Sequence, residues 1–319
     1  LNSGLVAPAG NAGVTWGGDF RLRNNWVDFD DSNDALDFTN NRDFDTRVRL
    51  TASFNVTEDS SAFVGFTGAE EWGSTDANAF VDEELSANGS HGNIERAYVT
   101  VNNLMGDGGS MKAGRDYYTV GEGRIMGSSE WANHAQTYSG VWYAHDAGGM
   151  NFNFAMINGE ENGAFGADEG DDMVYVASID YALEAGPLGT INLSPYAMRA
   201  EDDNSMNWKG AFLSGEIMGF GYDAEYSKSA DHDNTLEGSA WYVSTSIELD
   251  FLASIPGISN GGLDLTFSNA DDEFSTSGNE LTHGVGGFAD ATGTGTWADG
   301  KSSTSLGLNF SPAEGWNGR

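Results

Sequence analysis

Residues 109–140 read GSMKAGRDYYTVGEGRIMGSSEWANHAQTYSG. An alternating run over 111–115 leads into a long polar excursion carrying Asp116, Glu122, Arg124 and Glu130, and strand-like residues resume at Tyr138. A strand, a charged excursion and a further strand is the pattern of a loop folded into the mouth of a β-barrel. Residues 116–137 are therefore expected to form an inward-folded constriction loop.

Outward from this stretch, alternation with period two recurs on both sides, which is the mark of strands with two unlike faces. Just before it, Ala97, Val99 and Val101 stand opposite Arg96, Tyr98, Thr100 and Asn102. Earlier, Val48, Leu50, Ala52, Phe54 and Val56 oppose Arg47, Arg49, Thr51, Ser53 and Asn55. Trp16, Phe20, Leu22 and Trp26 share one parity, and Asp19, Arg21, Arg23 and Asn25 the other. Downstream, Met150, Phe152, Phe154 and Met156 alternate with Asn151, Asn153 and Ala155. Trp241, Val243, Thr245, Ile247, Leu249 and Phe251 likewise face away from Tyr242, Ser244, Ser246, Glu248 and Asp250. About fourteen such segments can be traced, the last over 302–310.

The connections alternate between tight ones (EDSS, MGDGG, HDAGG, EAGPLG, Met218-Gly219) and long ones, which hold most of the acidic residues. Short turns at one rim and long loops at the other is the layout of a transmembrane β-barrel. A soluble β-sandwich also alternates, but strands of about 5–6 residues serve it. Runs such as 47–56 and 239–251 reach the roughly 9–11 residues that cross a bilayer. The predicted fold is thus all-β, a single transmembrane antiparallel barrel over 1–319. Trp16, Trp26, Trp72, Trp241 and Phe251 fall at strand ends, where interfacial girdles sit. An even strand number closes such a sheet without an unpaired edge. The ending SPAEGWNGR reads as a turn opening a further strand, so a last hairpin is expected and, with it, a barrel of sixteen strands.

Composition narrows the function. The 319 residues include 12% aromatics, 44 Gly, 5 Pro and no Cys. No apolar run approaches the roughly 18 residues of a membrane helix, which excludes a helical membrane protein. Acidic residues outnumber basic ones 49 to 14, giving a net charge of −35; nucleic acid is excluded as a partner, because phosphate binding needs a cationic surface. With 9 Trp, 11 Tyr and 18 Phe the chain is also too aromatic for a disordered one. The opening LNSGLVAPAGNAG has neither a basic n-region nor an apolar core, as expected of an exported product whose signal peptide has been removed.

Nine of the fourteen basic residues precede position 125. Five of them, Arg21, Arg23, Arg47, Arg49 and Arg96, share the polar parity of consecutive or nearly consecutive strands, and would stack into a ladder on one interior wall. Arginine facing lipid at the midplane costs about 2–4 kcal/mol, so the ladder requires an interior that is wet or paired with acids. Two roles are open for it: ion pairing with lumenal carboxylates, or guidance of an anionic solute. Asp116, Glu122 and Glu130 on the loop are expected to face the ladder and, with Arg115 and Arg124, to set a transverse field at the narrowest point. Such a field favours small polar solutes over apolar ones.

The segments FVGFTGAEEWG (63–73), IERAYVTVNN (94–103), SMKAGRDYYTVGEGRIMG (110–127) and SGVWYAHDAGGMNFNFAMINGE (139–160) resemble the general diffusion porins of Gram-negative outer membranes. The first five strands are also similar, more weakly, to alginate-export-type barrels, whose lumen is lined with arginine. The resemblance covers roughly 15–160. It implies a sixteen-stranded barrel in the bacterial outer membrane, often trimeric, with Arg115 and Asp116 at the entrance of the constriction loop. The chain departs from the porin pattern in lacking a C-terminal aromatic residue and the acidic loop motif of the best-known members.

Three readings follow. The first is an outer-membrane porin passing small hydrophilic solutes and ions, as a homotrimer set among lipid and lipopolysaccharide. In the second the arginine ladder guides an anionic solute or polysaccharide through a substrate-specific channel. The third, of another class, is a non-conducting surface-layer or adhesion β-protein. Enzyme readings find no support: the five His are scattered over loops and turns without metal-ligand spacing, and no nucleophile elbow or phosphate-binding loop occurs. Asp28, Asp30, Asp31 and Asp34 are rich in oxygen but do not match a calcium loop. They read as a solvated exterior, with Ca²⁺ or Mg²⁺ bridging to lipopolysaccharide as the alternative.

Overall fold

The structure is a computed structural model, and it describes residues 13–27, 41–72, 93–128, 130, 135–158, 173–186, 189–201, 205–232, 237–254, 258–274, 302–313 and 316–318. Among the described residues fifteen strands are hydrogen-bonded in chain order in one sheet. They are β1 (Val14–Val27), β2 (Asn41–Asn55), β3 (Ser60–Trp72), β4 (Asn93–Asn102), β5 (Gly109–Asp116), β6 (Tyr138–Ala147), β7 (Met150–Asn158), β8 (Met173–Glu184), β9 (Thr190–Glu201), β10 (Asn207–Ile217), β11 (Phe220–Ala230), β12 (Glu237–Glu248), β13 (Asn260–Ala270), β14 (Ser302–Ala313) and β15 (Trp316–Gly318). The first fourteen run from 8 to 15 residues, the span that bilayer strands need. The fifteenth has three residues and pairs back on β14 through Ala313 and Trp316. The alternation traced to Phe251 stops earlier than expected. Leu252 donates to the Leu249 carbonyl, and a short 3-10 helix over Asp250–Ser254 takes Phe251 out of β12.

The chain divides into two compact units: residues 1–101, 114–116 and 132–135, and residues 102–113, 117–131 and 136–319. In the first, the registers of β1 on β2 and β2 on β3 put Asp19, Arg21, Arg23, Asp45, Arg47, Arg49 and Thr67 on one face. The other face presents Trp16, Phe20, Leu22, Leu50 and Phe66, with Trp16 74% and Phe20 69% exposed. Between β3 and β4 the register slips: Gly65 faces Arg96 but Phe66 faces Ile94, leaving Glu95 as an extra residue. Such a bulge re-aims a side chain. It lets Glu95 and Arg96, neighbours in sequence, share the polar face.

In the second unit the meander continues from β6 to β14. Phe154, Met156, Tyr175, Ile179, Tyr226, Trp241, Val243, Leu306 and Leu308 are exposed on one face. On the other, Trp142, Ile157, Val174, Val176, Met198, Trp208 and Tyr242 are buried together with Val120, Ile125 and Met126 of the segment after β5. The turn between β10 and β11 has two residues, Met218 and Gly219, both at positive φ (53° and 83°), the backbone that a right-twisted hairpin favours.

In both units, then, the alternating apolar residues are the solvent-facing ones. A soluble sandwich buries that face, since leaving a large apolar side chain in water forfeits about 1.5–3 kcal/mol each. An apolar exterior of this extent belongs against lipid.

Candidate functional site

The polar face of the first unit is an ion-pair ladder. On β1 and β2, Asp19 stands opposite Arg49, Arg21 opposite Arg47, and Arg23 opposite Asp45. Two guanidinium groups directly across from one another repel. Each of them reaches diagonally instead: Arg21 Nη2 donates to Asp45 Oδ1 at 3.3 Å, and Arg47 Nη2 to Asp19 Oδ1 at 3.5 Å. Arg23 Nε donates to the second Asp45 oxygen at 2.6 Å. Arg49 Nη2 donates to Glu95 Oε1 at 3.1 Å, and the other Glu95 oxygen accepts from the Thr67 hydroxyl. Arg96 Nη1 donates to Asp116 Oδ1 at 3.4 Å, while its guanidinium lies 4.5 Å over the Phe63 ring, which itself stacks on Tyr98. Asp45, Arg47, Arg49, Glu95 and Asp116 are all buried. Among the described residues these five guanidinium groups pair with four carboxylates, Asp19, Asp45, Glu95 and Asp116.

The segment after β5, in the second unit, is a docked loop. The Tyr118 N–H donates to Ser128 Oγ, whose hydroxyl returns a bond to the Tyr118 carbonyl. Val120 bridges to Met126, and the Gly123 N–H donates to the Val120 carbonyl, closing a tight tip. That tip sits on β9, β11 and β12. The Glu122 N–H donates to Glu225 Oε2 at 3.2 Å, the Tyr196 hydroxyl donates to Glu225 Oε1 at 2.6 Å, and Arg124 stacks 3.7 Å over the Tyr242 ring. Gly121 has φ +57°, and a Cβ there would overlap the Glu225 carboxylate. The Glu122 side chain keeps contact with solvent. The groups around it still exclude enough water that desolvation, aided by the like charge of Asp223, raises its carboxyl above the ordinary range against the opposing pull of Arg124.

The chain has counterparts among known proteins. The model of a family described as alginate export matches residues 14–300. The chain belongs to the alginate export family. No curated protein matches this family member in sequence. In structure it is similar to OccK11 (OpdR) of Pseudomonas aeruginosa, with a TM-score of 0.56 and 10% identity over 93% of this chain and 72% of that one. It is also similar to OccK2 (OpdF) of the same organism, solved in complex with glucuronate (TM-score 0.56, 13% identity, 93% and 74% covered). OccK8 (OprE), again from P. aeruginosa, gives 0.55 and 10% over 93% and 78%. At such identities the likeness is one of fold, the transmembrane antiparallel β-barrel. With the family match, it makes this chain a bacterial outer-membrane channel protein of the porin kind rather than an enzyme. The match over 14–300 extends well beyond the segments on which the resemblance was first drawn.

Within the alginate export fold the expected residues separate into two groups. Arg21, Arg23, Arg47, Arg49 and Arg96 come together as the ladder. Asp116 joins them, which corrects its assignment to the loop: it closes β5 with the parity of Lys112 and pairs with Arg96. Arg115 takes the opposite parity from Asp116 on the same strand. Glu122 and Arg124 lie at the docked tip, and Glu130 is exposed in a turn. Asp28, Asp30, Asp31 and Asp34 lie outside the described residues, among which no group of three or more acidic or His side chains is placed to hold a metal ion. Asp19 and Asp45, not among the expected partners, were legible in principle, each standing two residues from an arginine on the same parity. Glu95 was not, because simple alternation turns it away from Arg96.

Proposed function

We propose that this chain forms a water-filled channel for passive diffusion of small hydrophilic solutes and ions, with the arginine ladder turned to the lumen and biasing it toward anionic solutes such as carboxylated saccharides. The observation that carries this reading is the run of five arginines, Arg21, Arg23, Arg47, Arg49 and Arg96, along one polar face, each held beside a carboxylate. Arginine matches a carboxylate in a two-pronged fork. The resident acids keep that match from becoming too strong, since each rung is already partly neutralised. A solute carboxylate then passes along the field of the wall, meeting the more accessible Arg23 and Arg96, and conduction needs binding weak enough to release. The family's description as alginate export, and the glucuronate in OccK2, are anionic saccharides of the same chemistry.

Arg21→Gln with Arg47→Gln tests the bias. The pair removes two cations while Asp45 keeps Arg23 and Asp19 stays half exposed. In proteoliposomes the wild type is expected to admit sodium glucuronate faster, relative to glucose, than the double variant does, as followed by swelling rate. Equal ratios would make the ladder purely structural and the channel one of general diffusion.

The loop contributes charge of the opposite sign, and acidification should expose it. Because the Glu122 carboxyl is raised, it takes up a proton at a pH where ordinary carboxylates are still ionised. The same shift means that loop docking gains from protonation as pH falls through the raised value, and bears the cost of the partly desolvated charge above it. Cation permeability should therefore decline in a step above the ordinary carboxylate range in the wild type, and this step should vanish in Glu122→Gln. Superimposable reversal-potential titrations of the two proteins would remove Glu122 from the conduction path.

A further inference from the structure

We propose that the outer, lipid-facing side of β8 to β11 carries a binding site for a phosphorylated lipid of the outer leaflet, with an acyl chain in a groove and the phosphates on Arg199, Lys209 and Lys228. The site is separate from the channel wall. A groove of about 540 Å³ runs over this surface, lined by Phe154, Met156, Tyr175, Ala177 and Ala197 and reaching Arg199 and Lys209 at one end. Ala177 and Ala197 face each other across β8 and β9, and their small side chains make the trough between bulkier neighbours.

The basic end is the unusual part. Of the five basic residues that follow Arg124, three are gathered here, on a chain of net charge −35. Lys209 and Lys228 stand directly opposite one another on β10 and β11, and Arg199 lies on β9 diagonally from Lys209. Like charges directly across a sheet destabilise it. Arg199 meets Glu201 at 3.3 Å and Lys228 meets Glu237 at 3.2 Å, but both pairs are about half exposed and lie on the loop side of the cluster. Exposed pairs of this kind contribute little. An anion seated between the two lysines relieves their repulsion directly.

Depth identifies the anion. Tyr175 lies opposite Arg199, and Tyr226, paired with Trp241, sits two residues along β11 from Lys228; all three aromatic side chains are exposed. Tyr and Trp on a barrel exterior mark the headgroup level of the bilayer. Lys and Arg at this level lay their stems along apolar surface and lift their charge to the interface. The cluster is at the rim of the long loops, which face the cell exterior in outer-membrane barrels. What meets it there is the headgroup of an outer-leaflet lipid, and three cations close together suit a headgroup bearing more than one phosphate.

The test is native mass spectrometry of the full chain in detergent, titrated with bisphosphorylated lipid A. The wild type is expected to retain a bound lipid A that zwitterionic phosphatidylethanolamine does not displace. Lys209→Gln with Lys228→Gln should weaken binding by about tenfold or more, as the loss of charge-assisted contacts requires, whereas Lys209→Arg with Lys228→Arg should keep it. Ala177→Phe with Ala197→Phe, which fills the groove and leaves every charge in place, should weaken it similarly. Wild-type affinity in either the glutamine or the phenylalanine variant would overturn the proposal. So would a variant that dissociates a homo-oligomer while still binding lipid A, since the face would then be a contact between copies of the chain.

Discussion

Glu95→Ala is expected to destabilise the folded protein by about 3–5 kcal/mol, the cost of removing one member of a buried ion pair. Glu95 is 6% exposed and holds Arg49 with one oxygen and Thr67 with the other. Its removal leaves the Arg49 guanidinium, 8% exposed, beside that of Arg47 two residues along β2. Glu95→Gln keeps an oxygen to accept from Arg49 and an NH2 that can donate to the Thr67 hydroxyl, and should cost less. Replacing Arg49 by Met and Glu95 by Leu together should come out close to neutral, because the desolvation of both charges disappears with their attraction. Equilibrium unfolding in urea, with the protein in lipid vesicles, reads all three. A loss under about 1 kcal/mol for Glu95→Ala, the range of an exposed ion pair, would mean that water reaches the ladder freely and that its burial is not what sets its strength.

Gly121→Val should release the loop tip from the wall. At φ +57° an L-residue costs roughly 1–2 kcal/mol, and a β-branched one more. The added Cβ also meets the Glu225 carboxylate, which cannot swing aside cheaply because Tyr196 and the Glu122 N–H hold one oxygen each. The tip must therefore lift, taking Glu122 from Glu225 and Arg124 from Tyr242. If the docked loop narrows the channel, the variant's single-channel conductance and open-channel noise should both rise. Wild-type values for both would show that this loop does not shape the conducting path.

The strands were legible because the period-two pattern is dense and one-sided. Trp16, Phe20 and Leu22 against Asp19, Arg21 and Arg23 leave no other period, and the structure exposes the first set and pairs the second. The five ladder arginines were legible for the same reason. Strand ends were less so. Phe251 continues the alternation of β12 in sequence, but a hydrogen bond from Leu252 to Leu249 turns the chain first. The partners of the ladder depend on contacts that local pattern does not record. Glu95 reaches the polar face through a bulge set by β3, and Glu225 meets Glu122 across 103 positions of sequence. Glu225 lay on the polar parity of its strand. Nothing local distinguished it from Asp223, two residues before it.

The most direct test of an open, anion-favouring channel is the current of the purified protein in a planar bilayer, with a tenfold KCl gradient across it. Discrete conductance steps are expected, with a reversal potential displaced toward that of chloride and displaced back toward that of potassium in the Arg21→Gln, Arg47→Gln variant. An inserted, folded protein that passes no current would contradict the channel itself. Steps whose reversal potential is the same in both proteins would contradict the role given to the ladder.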